Sequence, residues 1–250
     1  LNVTGVDVVT VNDAVTGSVV NANDGAMLAS FTADIEFDVS DTAANLAAQV
    51  ASGVAQGSGP DSLDEANSVF VESGTPVTAA QAESVQDILN YSGGDYDIAD
   101  NAANLISAGD HVLNVTGVDV VTVNDAVTGS KVTANDGAIL AGFTADVEFD
   151  VADNVGALKA EMSKADPASY LTEANSITVD NDGLGDRVVN ASDGAILAGF
   201  TADVSFDVVD DANAVAAEVT ASGFGSGGLD EADNLVAVSY THLTLPTSYA

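Results

Sequence analysis

The chain has 250 residues, no cysteine, and 39 acidic side chains against four basic ones, a net charge of −35. Such a surface offers no basic patch to displace counterions, which argues against nucleic acid and anionic membrane as partners. The missing thiols exclude disulfides, Cys-ligated metals and thiol nucleophiles. With 46% of residues apolar, mostly Ala, Val, Leu and Ile, the chain has enough material for a core and is not disordered by composition. No apolar run approaches the length of a membrane span. High-salt habitat, cation binding and plain solubility each remain open as the reason for the charge.

The first element is a repeat. LNVTGVDVVTVNDAVTGS stands at 1–18 and again, letter for letter, at 113–130. NANDGAMLASFTADIEFDVSD (21–41) returns as TANDGAILAGFTADVEFDVAD (133–153) and as NASDGAILAGFTADVSFDVVD (190–210). Self-similarity of this kind marks a repeat architecture and is read before any local motif.

Along the chain an apolar–x–apolar triplet recurs about every 28 residues. The triplets begin at Val9, Phe37, Val69, Tyr96, Val121, Phe149, Ile177, Phe206 and Leu235. Alternation in such short runs predicts strands with one face inward, and the period matches one strand and one helix per coil. Two residues after each of the first eight triplets stands Asp13, Asp41, Ser73, Asp100, Asp125, Asp153, Asn181 or Asp210, residue types that cap helices or start turns.

The segments after these residues alternate between two types, giving a true period of about 56 residues. In one type an Ala-rich helix starts at once after Asp41, Asp100, Asp153 and Asp210, and Leu46, Leu105, Leu158 and Val215 should face the sheet. In the other a loop of variable length intervenes. New caps are then predicted at Asn21, Thr78, Thr133 and Asn190, each three residues before Asp24, Gln81, Asp136 or Asp193; TAAQ is a capping box. Leu28, Val85, Leu140 and Leu197, with Phe31, Ile88, Phe143 and Phe200 three residues further on, are predicted as the inward stripe of these helices. Gly/Ser-rich stretches at 52–62, 92–94 and 222–228 read as surface turns, because the strand period continues through them.

The expected fold is therefore an α/β solenoid of about 28-residue strand–helix coils with one parallel sheet, spanning 1–237 as a single array. Its units run about 1–56, 57–112, 113–168 and 169–237. A right-handed parallel β-helix is the alternative, disfavoured by the Ala-rich capped segments. From 238 to 250 the chain reads VSYTHLTLPTSYA, an abrupt break that looks like translated sequencing adapter; His242 is set aside with it. Because the chain opens at Leu1 in mid-repeat, any signal peptide is expected upstream.

The runs DVSDTAANLAAQ (38–49), SGTPVTAAQAESVQDIL (73–89) and YDIADNAANLISA (96–108) resemble the repeats of very large bacterial surface and secreted proteins. In those, V-x-D-T-A-A-N units alternate with D-S-G-T-P-x-T-x-T-A-A-Q units. The resemblance implies an exported, extracellular or cell-surface structural or adhesive role and no enzymatic activity. Its members are often tied to type I secretion and to calcium-binding G-G-x-G-x-D arrays, but this chain carries no such array.

Few residues offer chemistry. If coils stack at the strand spacing of about 4.8 Å, Asp41, Asp100, Asp153 and Asp210 form a row with Asp13 and Asp125 interleaved, which could be simple caps or a calcium ladder. Asp180 and Asp182, in DNDG with Asp186 beyond, faintly resemble a calcium loop but lack the distal bidentate Glu. His111 has no second His or Cys with which to share a metal. No G-x-S-x-G elbow exists, and no carboxylate pair stands out for glycoside cleavage, so a polysaccharide-acting solenoid enzyme is the minor alternative. The expected partners are neighbouring repeats of the same chain, then extracellular matrix or surface glycans; calcium is the candidate cofactor.

Overall fold

A computed structural model describes residues 9–12, 17–31, 35–52, 63–72, 74–164, 173–199, 204–222 and 229–239. They form a mixed α/β protein of short helices and parallel strands, with no closed barrel among the described residues. The chain divides into two compact units, Leu1–Ser130 with Gly142–Glu148, and Lys131–Ala141 with Phe149–Ala250.

In the first unit β1 (Val9–Thr10) pairs with β3 (Ile35–Glu36). A second sheet runs β2 (Val19–Val20), β4 (Asp38–Thr42), β5 (Ser68–Glu72), β6 (Tyr91–Gly94). A third joins β7 (Tyr96–Asp100), β8 (Val118–Val123) and β10 (Val147–Glu148). Its helices are α1 (Ala22–Ala29), α2 (Ala43–Ala51), α3 (Ala79–Gln86), α4 (Ala102–Ala108) and the single turn α5 (Asp110–Leu113). In the second unit β9 (Lys131–Val132), β11 (Asp150–Asp153), β12 (Ser176–Val179) and β14 (Val204–Ser205) form one sheet; β13 (Val188–Val189), β15 (Asp207–Asp211) and β16 (Asn234–Val238) form another. Its helices are α6 (Ala134–Leu140), α7 (Val155–Met162), α8 (Ala191–Leu197) and α9 (Ala212–Ser222).

All nine triplets lie on a strand or at its edge, and all pairings between these strands are parallel. Among the described residues, hydrogen bonding divides the strands into five sheets where the spacing predicts one. The reason is the variable loop. The chain leaves the sheet after Val11, Val123 or Val179 and re-enters at Val19, Lys131 or Val188, so one strand run of the next coil is covered by two separate segments. Val9 faces Ile35 while Val20 faces Val39; Val121 faces Val147 while Val132 faces Val151; Ile177 faces Val204 while Val189 faces Val208. Between the two ladders of their own unit sit Phe37 and Phe206, and Phe149 follows β10 in the chain; each is 0% exposed. In the remaining double repeat Tyr96 holds that place, and a lone Val77–Ile98 bridge replaces the short re-entry strand.

The helix faces match the predicted periodicity up to the helix ends. Leu46, Leu105, Leu158 and Val215 are buried, as are Val85, Leu140 and Leu197; Leu28 is half-buried. Among the described residues next in the pattern, Ile88 is buried and Phe31 and Phe143 are not. Phe31 is 37% exposed and Phe143 half-buried; both lie past the ends of α1 and α6 at Ala29 and Leu140, as Ile88 lies past the end of α3 at Gln86, so helical spacing does not decide their burial. Phe200 and the stretches 53–62 and 223–228 lie outside the described residues. SGG at 92–94 belongs to β6 and is not a turn. Leu63 and Leu229, which open LDEAN and LDEAD, are buried in 3-10 turns.

Helix and sheet approach most closely at Gly25, Gly137 and Gly194. A Cβ on Gly194 would stand 2.7 Å from Val208 Cγ2 and 3.1 Å from Phe206 Cε2. In α3 the equivalent residue is Ala82, buried over a coil carrying Tyr96 and Ile98. Gly194→Ala is therefore expected to destabilise by about 1–2 kcal/mol, overpacking outweighing a gain of about 1 kcal/mol in helix propensity. Adding Val208→Ala should cost less than it does in the unmodified chain, which denaturant melts of the four proteins would reveal.

Candidate functional site

The sequence points to the helix starts, and there the structure places one arrangement four times. Asn21, Thr78, Thr133 and Asn190 are the N-caps of α1, α3, α6 and α8, their side chains accepting from the backbone N–H three residues on. Thr78 and Gln81 form the predicted capping box. An N-cap leaves the N–H of the first helical residue without a partner. Here those residues are Ala22, Ala79, Ala134 and Ala191, exposed by no more than 3%, so water cannot reach the amide. The partner is supplied by a following strand, β4, β7, β11 or β15. Asp41, Asp100, Asp153 and Asp210 accept through Oδ2 from Ala22, Ala79, Ala134 and Ala191 N–H at 3.0, 3.1, 3.0 and 3.0 Å.

The other carboxylate oxygen is used within its own coil. Oδ1 of Asp41 accepts from Thr42 N–H at 2.8 Å and from Asn45 Nδ2 at 2.7 Å. Asp100 does the same with Asn101 N–H (2.8 Å) and Asn104 Nδ2 (2.8 Å), Asp153 with Asn154 N–H (2.7 Å) and Asp210 with Asp211 N–H (2.7 Å). These aspartates are therefore not the N-caps that the spacing suggests. The caps are one residue later, at Thr42, Asn101 and Asn154, and Asp211 Oδ1 accepts from Asn213 and Ala214 N–H. Each Asp stands just ahead of its own helix and clamps the preceding one. Asn181 repeats the device for α7, accepting from Val155 N–H at 3.1 Å while its Nδ2 donates to the Val188 carbonyl.

The expected carboxylate row is interrupted. In register with Asp41, Asp100, Asp153 and Asp210 on the next strand stand Val71, Val123, Val179 and Ala237. Asp125 does not interleave; it lies two residues beyond Val123 in a turn, accepting from Val127 and Thr128 N–H. Asp13 lies outside the described residues. In the 180–186 loop Asp180 accepts from Gly185 N–H, and Asp182 from Leu184 and Asp186 N–H, at 2.9, 2.8 and 3.1 Å. Among the described residues no three His, Asp or Glu side chains converge so as to hold a metal ion. His111 is exposed on the single turn α5.

A polar cavity of about 410 Å³ opens between the first turns of α1 and α2, lined by Asn21, Asn23, Asp41, Asn45 and Gln49 with Ala22 and Ala48. The lining contains no aromatic platform, no nucleophile and no second carboxylate, so it offers hydrogen bonds but no acid–base pair.

Three carboxylates hold neighbouring segments without having been singled out by sequence pattern. Asp38 accepts from the hydroxyls of Ser18, just before β2, and Ser68, on β5, and these bonds, Ser18 first, hold its carboxyl below the ordinary value. Asp207 meets Arg187 and Asn234, and Arg187 also pairs with Asp233. Asp110 accepts from Thr144 N–H (2.8 Å), Thr144 Oγ1 (3.0 Å) and Ala145 N–H (3.2 Å), and the Thr144 amide is the main cause of its lowered pKa. Gly109 (φ 64°) ending α4 immediately before Asp110 was the available signal for a second helix start. Lys159 pairs with Asp193 across α7 and α8.

Compared with known proteins, the chain matches no family model, no curated protein and no solved structure. No helix among the described residues is long and apolar enough to cross a membrane.

The geometry sets three expectations. Asp100→Ala, at the most buried clamp (8% exposed), strands the Ala79 and Asn101 amides and is expected to cost about 2–3 kcal/mol. Leu89→Ala, at a residue 77% exposed, should cost under about 0.5 kcal/mol by the same denaturant titration. For Asp110, whose folded pKa is depressed, the stabilising contribution is full above the unfolded value of about 3.9 and is lost as pH falls through the folded one. The Thr144 and Ala145 amide shifts should therefore stay constant from neutral pH to about pH 4 and move only below it. Asp110→Asn should abolish that transition, and a midpoint above about pH 4 would contradict the bonding described.

Proposed function

We propose that this chain is a non-enzymatic structural or adhesive segment of a long, acidic, exported bacterial surface protein, built as an α/β solenoid of strand–helix coils. The observation that supports it best is the clamp. The most regular polar feature of the molecule joins one coil to the next, and its carboxylates are occupied by backbone and amide donors. The outlying carboxylates Asp38, Asp110 and Asp207 likewise tie neighbouring segments together.

A protein of this kind gains length by adding units, each burying the face of its neighbour, and its stability is close to a sum of local terms. The 18-residue identity between 1–18 and 113–130 fits growth by duplication of whole double repeats. The charge of −35 keeps such an array soluble and apart from its copies. Its partners would be adjoining repeats of the parent protein and, in an adhesive role, extracellular matrix or surface glycans, outside the cell.

Deleting 113–168, about one double repeat, is expected to shorten the particle in small-angle scattering while leaving the helix and strand signal per residue unchanged. Collapse to an unfolded chain would overturn the modular reading. Melting the protein in chelator, in millimolar calcium and in sodium chloride of matched ionic strength separates a passive spacer from a calcium-stiffened module. The spacer predicts equal stabilisation by both salts through screening; a calcium shift several degrees beyond the sodium one would favour the calcium module instead.

A further inference from the structure

We draw no further inference here: the strongest candidate, the polar cavity of about 410 Å³ between the first turns of α1 and α2, rests on two helix N-termini and on Asp41, whose oxygens are already taken by the Ala22 and Thr42 amides and Asn45, with no second feature that points to a ligand.

Discussion

The hydrogen bond from a buried alanine amide at a helix start to the aspartate on a following strand is the interaction on which the rest of the structure depends. A helix start buried against a sheet has a donor that neither its own turn nor water can satisfy. Placing alanine there, with 0–3% exposure at Ala22, Ala79, Ala134 and Ala191, lets helix and sheet approach closely and creates the deficit. The Asp at the end of the next strand removes it, and its second oxygen fixes the start of the succeeding helix. An unsatisfied buried donor costs about 1–3 kcal/mol, comparable to the burial of one Val or Leu side chain. At α1, α3, α6 and α8 the strand that follows therefore completes the polar bonding of the helix start, and without it each of these helices would lack its amide partner.

This use of carboxylates bears on how a chain of −35 charge folds at all. Many of its aspartates act as acceptors for backbone N–H groups at helix starts and in tight turns, where the local dipoles favour negative charge. At the clamps, the strand register puts Val or Ala beside each Asp, so two clamp carboxylates are never adjacent across a ladder. This spacing lowers the repulsion between clamp carboxylates, while each of the four retains local donors. Basic residues add little: Arg187 bridges Asp207 and Asp233, and Lys159 meets Asp193.

Much of the local structure was legible in the sequence because it is periodic. The triplets, the caps at Asn21, Thr78, Thr133 and Asn190, and the buried Leu46, Leu105 and Leu158 all come from residue type at fixed spacing. Two things were not legible. The division into several sheets arises because a loop is inserted within a strand position, and a pattern of apolar letters does not say which strand each half will face. The role of Asp41, Asp100, Asp153 and Asp210 depends on a residue about 20 positions earlier in the chain, whereas a local cap rule sees only the residues just after the Asp. Phe31 and Phe143 show a complementary limit: they lie past the ends of their helices, where helical spacing no longer sets which side a residue faces, and of the three described residues at this place Ile88 alone turns inward.

Amide hydrogen exchange at the first residue of each helix tests the clamp directly. The account predicts that the Ala22, Ala79, Ala134 and Ala191 amides, at a position normally open to solvent, exchange as slowly as amides inside the same helices. It further predicts that Asp153→Ala accelerates Ala134 while leaving Ala22 unchanged. Exchange of these four amides at the rate of an unprotected chain, in protein whose helices are otherwise protected, would contradict it.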